Sequence, residues 1–350
     1  MRHRIRNPDQ KPGSNPLAPE GKICYYFSMK KTDFGSYDEK GYWRPPYPCS
    51  FSPLWQRPRN LKAIIKYIFG WGGYLWPRNA LYAGLAVFTW YFLQPGFTVT
   101  DTFGAGWIGL MLLRNIALMW IIFGAYHLVL YTFKVQGTDR KYNPKWLDKG
   151  SKKFLFSNQL LDNMFMSTLS GGLIWTGYEV FYIWAASKGF TPLLTWADNP
   201  VWFVLFFLVI PIYRESHFYF IHRLIHWKPL LRRVHYVHHK NPNPGPWSGL
   251  SMHPVEHLLY FSVIFIHFIV PSHPIHMFFN MQLTALPPAG GHDGFEGPFA
   301  RGFFPVGDYF HYLHHRYVSC NFGTSTVPWD RWLGRFYNGV GDYPYRKKKK

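Results

Sequence analysis

The stretch 107–133 contains one charged residue, Arg114, and is otherwise dominated by Leu, Ile, Met, Trp and Phe. About 20 consecutive apolar residues suffice for a helix to cross the hydrocarbon core of a bilayer, and lipid obliges the backbone to satisfy its own hydrogen bonds. This stretch is therefore expected to be a membrane helix. The apolar stretches 80–93, 173–186 and 201–212 reach spanning length once their flanking aromatics are included. Stretches 258–270 and 275–286 are separated by Pro271-Ser-His-Pro274 and read as a hairpin that dips part-way into the bilayer. The predicted fold class is all-α: a polytopic membrane helical bundle of about four spanning helices plus the partly inserted hairpin. Aromatics make up 21% of the chain, and the mean hydropathy of −0.15 is held down by a polar first 60 residues.

A net charge of +20 would suggest a nucleic-acid partner in a water-soluble chain, but the aromatics lie in the apolar runs and no nucleic-acid motif accompanies the basic residues. Membrane topology accounts for the charge. Connections 94–104 and 189–200 hold no Lys or Arg, whereas the N-terminus, 134–153 and the C-terminus are rich in both. By the positive-inside rule the termini and the C-terminal half face the cytosol. Four regions follow: a loosely ordered arm, 1–59, in which Cys24-Tyr-Tyr-Phe and Gly41-Tyr-Trp are candidate docking elements; membrane helices, 60–197; a histidine-rich region, 198–340; and a basic tail, 341–350. Within the second, 61–69 spaces Lys62 and Lys66 among isoleucines, which suits either a short interfacial helix or a simple lead into the first span. Arg114 and Glu179, both inside apolar segments, are expected to form a structural ion pair. Lys347 and Lys348 occupy the positions of a di-lysine signal, which predicts residence in the endoplasmic reticulum. Cys24, Cys49 and Cys320 have no paired spacing and are expected to remain thiols.

The C-terminal half carries three histidine clusters: His222-Arg-Leu-Ile-His226, His235-Tyr-Val-His238-His239 and His311-Tyr-Leu-His314-His315. On a helix, residues three and four apart share a face, so each HxxHH cluster can aim its first histidine and at least one of the following pair into one cavity. A lone histidine is more often a satisfied core residue, but three clusters of this kind point to metal. Eight imidazoles exceed the needs of one four-coordinate ion, so two ions are implied.

The order HRLIH, HYVHH, His253-Pro-Val-Glu256, His292-Asp-Gly, HYLHH and Trp329-Asp-Arg-Trp-Leu-Gly334 resembles the fatty acid hydroxylase / sterol desaturase superfamily over about 198–339. The resemblance implies an integral membrane enzyme that holds two iron ions in a cytosolic helical cap. It implies His222, His226, His235, His238, His239, His311, His314 and His315 as ligands, with His292 and His253 as further candidates. It also implies O2 as co-substrate, electrons from a separate donor such as cytochrome b5, and desaturation or hydroxylation of a sterol-like membrane lipid. Zinc could be carried on purification but cannot cycle electrons. Because metal-bound histidines usually donate their second N–H, Glu215, Glu256, Asp293, Glu296 and Asp308 are candidate partners, Glu256 foremost.

Other histidines divide. His217 and His257 are open between ligand and structural roles, while His127, His267, His273 and His276 sit on apolar or turn segments outside the site. Pro288, four residues before His292, stands where fatty-acid-type hydroxylases would carry another histidine, which favours the sterol branch or an uncharacterised relative. Rival readings are a fatty-acid or alkyl-lipid hydroxylase, a catalytically silent subunit of a membrane assembly, and a metal transporter, though a transporter would spread its ligands near the bilayer midplane.

Overall fold

The computed structural model describes residues 35–299 and 304–345. The chain is mostly helical, so the all-α expectation holds for its bulk, but two small antiparallel hairpins add to it: Ser36–Tyr37 with Trp43–Arg44, and Gly297–Phe299 with Phe304–Val306. Lys347 and Lys348 lie outside the described residues, as does Cys24.

Among the described residues, two helices are long and apolar enough to cross a membrane, Ala105–Thr132 and Pro200–Ile225. Only 28% of the most apolar window of each is buried within the protein. Leu110, Leu113, Ile121, Val201 and Val204 instead point outward. A core helix of a protein in water would bury such residues, so this apolar exterior matches association with lipid. Two further apolar helices, Arg78–Phe92 and Leu173–Ser187, have 15 residues each. The second extends backward through a π turn, Met166–Gly172, to Gln159. That extension buries Gln159, Asp162 and Asn163, which is why this long helix is less apolar than the other two.

Arg114 and Glu179 form the expected buried ion pair, reinforced by Asn115 and by Trp175, whose indole N–H donates to Glu179 at 2.7 Å. The anticipated hairpin exists as Pro254–Phe261, continued by a 3-10 segment Ser262–Phe268, then a break and Pro274–Ala285. Every residue of Pro274–Ala285 is buried, packed against Arg78–Phe92 and Pro200–Ile225. Its polar side chains find partners inside the protein: Gln282 donates to the Thr89 hydroxyl at 2.8 Å and His276 meets the Phe203 carbonyl at 2.8 Å. The second limb of the hairpin is thus core, which its His, Asn and Gln residues require.

The segment from Gly35 to Arg59 docks onto the C-terminal region. Trp43 is wholly buried against Tyr142 and Tyr309, and Ser52 N–H donates to the Ser325 carbonyl at 3.0 Å. Leu61–Phe69 is helical, capped by Asn60, whose side chain accepts from Ala63 N–H at 3.0 Å, and none of its residues is buried.

Candidate metal centre

Four elements converge on one polar interior. His222 sits in the last turn of the Pro200–Ile225 helix and His226 ends it. His235 closes a π turn, Leu231–His235, that runs straight into Tyr236–His239, carrying His238 and His239. His292 ends the short Pro288–Gly291 helix, and Tyr309–Tyr317 carries His311, His314 and His315. Asp308 starts that last helix by accepting from His311 N–H at 3.0 Å.

Their ring nitrogens gather into two groups, each compact enough for one ion: His222, His226, His235, His239 and His314 in the first, His238, His292, His311 and His315 in the second. The spacing explains the division. Within each five-residue cluster the first and fifth positions share a group, and in the second and third clusters the fourth, rotated to the neighbouring side, joins the other. His235 and His239 thus serve the first group while His238 serves the second; His311 and His315 serve the second while His314 serves the first.

The hydrogen bonds fix which nitrogen faces inward. His222 Nδ1 lies 2.6 Å from the Phe322 carbonyl, His314 Nδ1 2.7 Å from the Cys320 carbonyl and His292 Nδ1 3.0 Å from the Pro288 carbonyl. A carbonyl only accepts, so each Nδ1 carries the proton and each Nε2 presents a lone pair. Those lone pairs point at other imidazole nitrogens: His222 Nε2 is 3.1 Å from His235 Nε2, His314 Nε2 is 3.0 Å from His239 Nε2, and His292 Nε2 is 2.9 Å from His311 Nε2. Two nitrogens bound at about 2.1 Å to one ion and at right angles would be about 3.0 Å apart. The donor set therefore fits a cation in each group. Burial also keeps the rings neutral, holding His238 at about 4 and His314 at about 3, the form a metal requires.

Glu256 takes the role expected of it, meeting His235 Nδ1 at 2.7 Å. The other candidate carboxylates do different work. Asp293 accepts from Phe295 and Gly307 N–H, Glu296 accepts from the Tyr142 hydroxyl, and Glu215 pairs with Arg214. Asp330 of the Trp-Asp-Arg motif accepts from the N–H groups of Phe322 and Gly323 at 2.8 and 2.7 Å, so it fastens the loop whose carbonyl orients His222.

His253 lies outside both groups. It is the N-cap of Pro254–Phe261, its Nδ1 accepting from Val255 N–H at 3.2 Å. His217 meets the Ser262 hydroxyl, and His257 is held at both nitrogens by Ser170 and the Leu250 carbonyl. His267 is fully buried between Ser272 and Asn280, so it is a core residue with two polar partners and not a bystander on an apolar face.

A cavity of about 690 Å³ opens onto both groups, touching His222, His235, His238, His292 and His311, with Phe218, Tyr82 and Ile122 among its apolar walls. Its size and lining suit a lipid-sized ligand.

Residues 204–335 match the fatty acid hydroxylase family model. This segment is similar to a fatty acid hydroxylase domain. The curated proteins similar to this domain include methylsterol monooxygenase 1 of Gallus gallus, 26% identical over 44% of this chain and 53% of its own length. Methylsterol monooxygenase 2-2 of Arabidopsis thaliana is 29% identical over 46% of this chain and 61% of its own. Lathosterol oxidase of Homo sapiens is 30% identical over 41% and 52%. The chain thus spans about half the length of the curated relatives it matches. No solved structure matches it.

Proposed function

We propose that the chain is a membrane oxygenase whose hydroxylase domain holds two iron ions and oxidises an unactivated C–H bond of a sterol-like lipid. The supporting observation is the pair of imidazole groups whose Nε2 lone pairs face one another across about 3 Å at the end of an apolar cavity. In the first group His222, His226, His235, His239 and His314 would hold one ion, and His238, His292, His311 and His315 the other. Bound iron would supply the redox capacity to reduce O2, which zinc lacks.

The balance is R–H + O2 + 2e⁻ + 2H⁺ → R–OH + H2O for hydroxylation. For desaturation, two hydrogens leave adjacent carbons and two waters form. The electrons would come from a separate donor such as cytochrome b5 on the cytosolic side, where the lysine-poor connections 94–104 and 189–200 put the histidine clusters by the positive-inside rule. The chain's own part is to orient the rings through Glu256 and the carbonyls of Phe322, Cys320 and Pro288, and to exclude bulk water with Phe218 and Tyr82. The names of the relatives, methylsterol monooxygenase and lathosterol oxidase, support a sterol-class substrate.

The test is turnover in membranes supplied with NADH, cytochrome b5 reductase, cytochrome b5 and candidate sterols. Wild type and His253→Ala should form product while His238→Ala and His315→Ala should not. Equal product from all four would overturn the assignment, and no turnover of any lipid by iron-loaded wild type would favour a subunit role.

A further inference from the structure

Arg214 and Glu215 lie on the Pro200–Ile225 helix two turns before His222, and both line the cavity. Arg214 Nη1 meets Glu215 Oε1 at 2.6 Å, with side chains only 10% and 5% exposed. Each keeps one further polar atom buried without a hydrogen-bond partner: Arg214 Nε, a donor, and Glu215 Oε2, an acceptor. Tyr260 beside them, whose hydroxyl donates to the Thr284 carbonyl at 2.7 Å, lines the same cavity. A buried donor and acceptor left unmet carry a substantial cost, so a site of this kind awaits a ligand that supplies both complements.

We propose that Arg214 and Glu215 bind a neutral hydroxyl group of the lipid, Glu215 Oε2 accepting its proton and Arg214 Nε donating to its oxygen. Chemistry selects the class. A hydrocarbon leaves both atoms unmet. A carboxylate or sulfate cannot donate to Glu215 and meets its charge, while the arginine is already neutralised by the same glutamate. A hydroxyl satisfies both at once. The two helical turns between this pair and His222 mean that the hydroxyl orients the lipid without ligating the metal centre. This inference rests on the reading of the cavity as the lipid site and names the polar group that site selects.

The experiment is binding, not turnover, so its outcome is separable from that of the oxygenase reading. The full chain in nanodiscs is titrated with a fluorescent sterol, which is then displaced by cholestanol, its methyl ether, cholestane and cholestanyl sulfate, and in parallel by octadecanol and octadecane. Wild type should prefer at least one alcohol to its hydrocarbon by about 10-fold, with the ether and the sulfate weaker than the alcohol. The double variant Arg214→Met/Glu215→Leu, which removes both charges together, should bind alcohol and hydrocarbon alike while keeping the hydrocarbon affinity, which also reports its folding. Glu215→Gln, which keeps an acceptor, should retain most of the preference. Equal affinity of wild type for both members of both pairs overturns the proposal, as does tighter binding of the sulfate, failure to bind either alcohol, or a folded double variant that keeps the preference. The wild-type ligand series decides even if the variant does not fold. Selective binding without oxidation would sink the oxygenase reading alone, and oxidation without selectivity would sink this one alone.

Discussion

Replacing Asp330 by asparagine tests whether the loop behind His222 governs the metal centre. Asp330 is fully buried, and burial pushes its carboxyl up to about 6 against the two N–H donors, so it is ionised at neutral pH. Each of its oxygens accepts one backbone N–H, from Phe322 and from Gly323. Asparagine keeps one acceptor and turns an NH2 toward the other donor. One charge-assisted hydrogen bond, worth about 1.5–3 kcal/mol, is lost, and a buried N–H is left facing a donor. A stability loss of about 2–4 kcal/mol follows from these two effects. Because Phe322 supplies the carbonyl that holds His222 Nδ1 at 2.6 Å, ring orientation should suffer as well, weakening metal retention by about 10- to 100-fold. Thermal unfolding in detergent and metal content by plasma mass spectrometry after dialysis against a mild chelator read the two effects, with exposed Asp342→Asn as the control. Asp330→Asn that melts with wild type and holds metal equally would refute the loop's role.

Other outcomes follow from single contacts. Glu256→Gln should weaken metal retention by about 10- to 100-fold through His235, whereas His253→Ala should lose only its cap, about 1 kcal/mol, with metal content unchanged; the same dialysis assay separates them. Gly249→Ala should fail to accumulate as folded protein, because a Cβ there would stand 2.4 Å from the Pro288 carbonyl oxygen, backbone that also holds His292; size-exclusion profiles report it. Trp43→Ala should cost about 3–5 kcal/mol by emptying its site against Tyr142 and Tyr309, and should speed proteolysis of the N-terminal segment in a limited-digestion time course.

Much of the candidate metal centre is legible in the sequence because helical spacing is a strong constraint: once three clusters lie on helices, positions four apart must share a face. The split into two groups, with the fourth position joining the other group, also follows from that rotation, though which clusters meet depends on tertiary packing. His253 reads two ways in the sequence because a histidine before Pro-x-Glu is chemically suited both to metal and to capping. Pro254 at the first helical position and Glu256 in the first turn are the local signals for the cap. The carbonyls of Phe322, Cys320 and Pro288 carry no side-chain signature, so no sequence reading could name them as ring partners. The hairpin at Gly297–Phe299 and Phe304–Val306 is hidden by prolines at Pro298 and Pro305, residues that sit directly opposite each other. The burial of Pro274–Ala285 was written in its His, Asn and Gln residues, which lipid would not accept unpaired.

The most direct measurement is the metal stoichiometry and identity of the full chain, produced with iron in the medium and purified anaerobically. Plasma mass spectrometry and Mössbauer spectroscopy should find two irons per chain in nitrogen-rich sites. His314→Ala should weaken the first site and His292→Ala the second, each leaving close to one iron. A single iron in wild type, or a loss of both irons from every single variant alongside an unchanged content in His222→Ala, would contradict two adjacent imidazole sites.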